Sequence, residues 1–120
     1  LYIYRDIIYS DGSLEKEFLT KRQQIHSLLE FEGYELDLFN FMKLKYSKEF
    51  DNLLYKQIGY PLLSALGSSI FYSPYSITSL REYFANGFEA LFYHEDYDFI
   101  KKACPVLFDK LISIMEVEYW

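Results

Sequence analysis

Apolar residues recur along this chain at helical rather than alternating spacing. From Ser13 to about Phe31, Leu14, Phe18, Ile25 and Leu29 share one face of a 3.6-residue repeat, and Ser13 stands where an N-cap belongs. Gly33 marks the end of that helix. A second helical stretch, "YELDLFNFMKLK" (34–45), turns Leu38, Phe41 and Met42 to one side. Ser47 opens a third, to about Ile58, with Phe50, Leu53 and Leu54 inward, and Gly59 and Pro61 break it. The stretch 60–77 is turn-rich and carries no clear period. From Ser79 to Tyr93 the stripe Leu80, Phe84, Phe88 and Leu91 returns. "HEDYD" interrupts it, 97–103 is short and helical, and Pro105 heads a last helix to about Met115, where its missing N–H costs nothing. Only the front departs from this pattern: "LYIYRDIIY" (1–9) reads as a strand, followed by the turn "SDGS".

Composition narrows the class. At 120 residues the chain is one domain with room for a hydrophobic core. With 51% apolar and 25% charged residues it is globular rather than disordered. The net charge is −6 and the Lys and Arg residues are scattered, which disfavours nucleic acid and acidic lipid as partners. No apolar run reaches membrane-spanning length. Cys104 is the only cysteine, which excludes an internal disulfide and a Cys-rich zinc knuckle; beside Pro105 and an apolar helix it reads as a buried, inert thiol. The 13 Tyr residues suit a groove as well as a core, because a Tyr buries its ring and keeps a polar tip wet. No signal peptide is legible, and a start at Leu1 leads us to expect a piece of a longer protein.

Local motifs carry little chemistry. His26 follows Arg22 by four residues and shares its face, and a lone His is most often structural. His94 lies at a helix end, and the nearby Glu95, Asp96 and Asp98 lack the Gly and spaced oxygens of a calcium loop, so they read as a solvated loop. There is no Gly-rich phosphate loop, no G-x-S-x-G and no HExxH. Glu82 completes an S-x-x-E capping box with Ser79, and Glu82, Asn86 and Glu89 form a polar strip.

The segment 75–111, "YSITSLREYFANGFEALFYHEDYDFIKKACPVLFDKL", resembles the zinc metallopeptidase family of anthrax lethal factor and the clostridial Pro-Pro endopeptidases. That family places a Tyr seven residues before a Glu in an E-F-F-A-E-x-F helix, then a polar stretch and a Pro-headed helix. Tyr75, Glu82, Phe84, Ala85, Phe88, Ala103, Cys104 and Pro105 fall into this frame. Upstream, "HSLLEFEGYELD" (26–37) is similar to the family stretch beginning at the second His of HExxH, and "SKEFDNLLYKQIG" (47–59) to the helix before the catalytic Tyr. The resemblance covers roughly residues 22–115. It implies an α+β, mostly helical, zincin-like domain over 1–120, with a small N-terminal strand region followed by about five helices.

Carried over by position, the resemblance puts His26 at the second zinc ligand, Glu82 at the third and Tyr75 at the oxyanion-stabilising Tyr. Arg22 stands at the first His and Gln23 at the general base, within "RQQIH" (22–26), and Asn86 replaces a supporting Glu. Gln23 cannot take a proton from metal-bound water, and Arg22 cannot ligate. His26 and Glu82 alone are fewer ligands than catalytic zinc needs. A set shifted to His26, Glu30 and Glu82 would put Ser27 at the base position. One expectation is therefore that the Arg22 guanidinium replaces the metal and forks onto Glu82. The alternative is that Arg22 snorkels to water and Glu82 caps its helix.

For function, the resemblance implies a catalytically degenerate domain that binds a protein or peptide partner within a toxin-like or secreted protein, with no cofactor. The family's toxins supply the precedent of an HExxH-less domain of this fold that docks onto a translocating subunit. The alternatives are an active secreted zinc metalloendopeptidase with an atypical metal site, and a purely structural module.

Overall fold

The computed structural model describes residues 11–118, and every regular element among them is helical. The strand expected at 1–9 lies outside the described residues. Helix α1 spans Ser13–Phe31 and α2 Leu38–Phe41. Helix α3, Lys48–Asn52, runs on as a π-helical segment, Leu53–Ile58. Helix α4 is Tyr60–Gly67, a 3₁₀ turn follows at Pro74–Ile77, and α5 is Leu80–Phe92. Helices α6, Tyr97–Ala103, and α7, Pro105–Glu118, end the chain. The described residues thus hold seven α-helices where about five were expected.

Two differences have local causes. The turn-rich stretch after Gly59 forms α4, because Pro61 sits in its first turn, where a missing N–H orphans nothing. The second stretch shrinks to one turn. Asp37 caps it by accepting from the Phe39 amide at 3.0 Å, and Phe41 alone is buried while Leu38 and Met42 stay exposed. It cannot run on because the Phe41 and Lys43 carbonyls are drawn inward to Arg22. Ser13 is also not itself the cap of α1. Gly12 takes that place at φ 75°, and Asp11 accepts from both the Ser13 amide and hydroxyl.

Helix α1 is the centre of the packing. Its Leu14, Phe18, Ile25 and Leu29 are fully buried, against Phe41, Leu63, Phe71, Tyr83 and Leu111 among others in one continuous core. Two glycines let helices close on each other. A Cβ at Gly67 would meet Ile25 Cδ1 at 2.9 Å, and one at Gly87 would collide with the Leu107 side chain. No helix among the described residues is long and apolar enough to cross a membrane.

A fold of short helices has many helix ends, and each end leaves backbone groups without intrahelical partners. Here α1 supplies several of the partners. Glu17 accepts from the Val106 and Leu107 amides at the start of α7, at 2.8 and 3.3 Å, and from the Tyr83 hydroxyl at 2.6 Å. One turn later, Lys21 donates to the carbonyl of Ala103, the last residue of α6, and to that of Ile70, both at 2.6 Å. A carboxylate therefore meets a helix N-terminus and an ammonium a C-terminus, the signs the helix dipoles favour.

Candidate functional site around Arg22

Arg22 is 1% exposed, although it is permanently charged at neutral pH. Its Nε donates to the Ile77 carbonyl at 2.8 Å and its Nη2 to that of Thr78 at 2.6 Å. Its Nη1 donates to the carbonyls of Lys43 at 2.6 Å and Phe41 at 3.4 Å. The guanidinium carbon lies 4.7 Å from the Phe18 ring centroid and 4.3 Å from that of Phe50, within cation–π range. Burial pulls its pKa down to about 9, which leaves it cationic at pH 7.

Neither expectation for Arg22 is met. No ion pair joins it to Glu82 among the described residues, and it does not snorkel to water. It does tie α1 to the segment between Tyr75 and Glu82, but through the Ile77 and Thr78 carbonyls. The physical reason is the chain's course. The 3₁₀ turn ends at Ile77 and α5 begins at Leu80, so two carbonyls between them point to the core without helical partners. A planar fork of donors satisfies several such groups at once.

The remaining site residues fall in three places. Gln23 is exposed and lines a different depression, with Thr20, Ser27 and Leu28, because successive helix residues do not share a face. His26 is buried; its Nε2 lies 2.7 Å from the Leu36 carbonyl, its Nδ1 3.1 Å from Glu30, and its ring edge-on to Phe41. Glu82 is half-buried, and its amide donates to the Ser79 hydroxyl at 3.1 Å, so the Ser79 half of the capping box is formed. No group of three or more His, Cys, Asp or Glu among the described residues could hold a metal ion. The donors therefore do not fit zinc, in the aligned set or in the set shifted to Glu30. His26 has both ring nitrogens engaged, and Arg22, four residues before it, is a buried cation that cannot ligate.

Tyr75 is 58% exposed and belongs to a row of rings. It packs edge-to-face on Tyr60 at 5.1 Å, and Tyr60 on the exposed Tyr55 at 5.3 Å. Asp51 anchors the row by accepting from the Tyr60 hydroxyl at 3.0 Å and from that of Tyr46 at 2.9 Å. Desolvation, and then Asp51, push the Tyr60 phenol well up; for Tyr46 the Asp51 hydrogen bond is the main cause. Cys104 is buried as expected, and burial raises its thiol pKa, which makes it a poor nucleophile.

Glu17 and Lys21 escaped the sequence reading, yet a signal existed. Lys21 and Arg22 each have Phe18 and Ile25 as neighbours three and four residues away. Two cations inside an apolar stripe must find buried acceptors.

The chain matches no protein-family model, no curated protein and no solved structure.

Proposed function

We propose that this chain is a non-catalytic relative of the lethal-factor-type zinc metallopeptidases, zincin-like in descent, that serves as a protein- or peptide-binding module of a secreted, toxin-like protein. The observation that carries the reading is the environment of Arg22. Arg22, which the resemblance puts at the first zinc ligand, is a buried cation bonded to four backbone carbonyls. That role is structural, and it excludes a metal from the same space by charge and by volume. The binding face is the row Tyr55–Tyr60–Tyr75, exposed at Tyr55 and Tyr75, because Tyr rings held by one another and by Asp51 offer large contact area at little entropic cost.

Two measurements test this. Protein purified without chelator should carry no stoichiometric zinc, and R22H/Q23E, if the alignment is right, should gain zinc binding. Stoichiometric zinc that disappears in H26A or E82A would overturn the reading. For the binding role, peptides selected from a displayed library should lose affinity for Y55A/Y75A by roughly tenfold or more, as hot-spot Tyr residues do. Selected peptides indifferent to that variant would remove the Tyr row as the binding face.

A further inference from the structure

We propose that the cleft beside Arg22 is a binding site for a phosphate-class dianion, either the free ion or a monoester with a compact organic body. The inference does not draw on the metallopeptidase likeness. The cleft encloses about 440 Å³, and its charged lining is Arg22, Lys43, Lys45 and Glu49. Three cations against one carboxylate leave two positive charges, in a chain whose net charge is −6. Such a reversal concentrates anions at that place.

Arg22 makes the site more than a cluster of surface lysines. It is buried, lines the cleft, and has no carboxylate in ion-pair range among the described residues. Its carbonyl partners satisfy donors but carry no counter-charge. A guanidinium has five N–H groups, and Nη2 has one acceptor among the described residues, the Thr78 carbonyl. One N–H of a buried cation thus has no acceptor among the described residues, and a ligand oxygen that reached it would make a strong charge-assisted bond.

The lining also sets the ligand's size and charge. Asn40 also lines the cleft, and the Ser47 hydroxyl is already turned to Glu49 at 3.0 Å. An excess of two positive charges suits a phosphate monoester, which carries about −1.5 to −2 charges at pH 7, or the dianion of free phosphate, better than a single carboxylate. Phe50 and Leu53 wall the rest of the cleft and would hold the apolar part of an ester.

The test is titration calorimetry on the whole chain at low ionic strength, with inorganic phosphate and with phenyl phosphate as probes. Arg22 is spared, since its loss would disturb the fold. K43Q/K45Q should weaken binding by about tenfold or more, a loss of about 1.4 kcal/mol, with an unchanged melting temperature. K101Q/K102Q, which removes the same charge from exposed positions on α6, should leave affinity within about twofold. Tighter binding of phenyl phosphate assigns the monoester as ligand, and equal affinities assign the free ion. Absence of saturable binding by both probes, or equal losses in the two double variants, would overturn the proposal.

Discussion

The Nη2 of Arg22 lies 2.6 Å from the carbonyl oxygen of Thr78, across 56 residues of chain. This bond and its neighbour at Ile77 fix the start of α5 to the middle of α1. Replacing Arg22 by Met keeps the apolar stem but strands four carbonyls in the core. We expect R22M to lose about 3–5 kcal/mol of unfolding free energy, the range for breaking a buried charged network. R22K should recover only part of that, because an ammonium cannot reproduce the fork. Denaturant titration decides it, and a loss under about 1 kcal/mol for R22M would refute the structural role.

Glu17 predicts a more localised effect. Its carboxylate receives two amides of the first turn of α7 and the Tyr83 hydroxyl. E17A should cost about 1–2 kcal/mol, the upper range for losing a cap, and E17Q less, since one side-chain oxygen remains. Amide exchange at Val106 and Leu107 should accelerate in E17A, while that of α3 should not. Uniform acceleration across all helices would mean that Glu17 acts on global stability instead.

The sequence made the long elements legible and left the connections obscure, and both outcomes have physical causes. Helices α1 and α5 carry apolar stripes over several turns and match their expected spans within a residue or two. Helix α4 was hidden because Pro61 serves equally as a breaker and as a first-turn residue. Helix α2 was overextended because the periodicity of Leu38, Phe41 and Met42 is blind to Arg22, which removes the carbonyls needed to continue. At the candidate site, the placement of Arg22 on one face of α1 with His26 was legible from their spacing. Its partners were not, because backbone carbonyls leave no signature in side-chain identities. The row Tyr55–Tyr60–Tyr75 was invisible for a related reason: its members come from the π-helical segment, α4 and the 3₁₀ turn, and only the fold brings them together.

Asp11 gives a pH-dependent signature. Hydrogen bonds from the Ser13 hydroxyl and amide, and then the Lys110 charge, hold its pKa at about 2, against an ordinary 3.8. A depressed carboxylate pKa contributes stability that is complete above the unfolded value and disappears as pH falls through the folded one. The advantage of the native protein over D11N should therefore shrink between about pH 4 and pH 2 and be constant above that window. Unfolding midpoints measured across this range provide the check. A gap between the two proteins that does not change from about pH 5 to pH 2 would show that the cap of α1 does not depend on the ionised form.

Gly87 makes the sharpest packing prediction. In the interior of α5, a Gly-to-Ala change ordinarily gains about 1 kcal/mol through helix propensity. Here the new Cβ would collide with Leu107 Cδ2 and fall 3.1 Å from its Cγ, on a helix clamped at its start by Glu17. Overpacking costs of about 1–3 kcal/mol should outweigh the propensity gain, so G87A should be destabilised rather than stabilised. The comparison that isolates the cause is a double-mutant cycle with L107A. That variant alone should lose about 2–5 kcal/mol by opening a cavity between α5 and α7. In its presence the added methyl group has room, and G87A should become neutral or stabilising, with a coupling energy of about 1 kcal/mol or more. If G87A has the same effect in both backgrounds, α5 and α7 are not held at the separation that Gly87 permits.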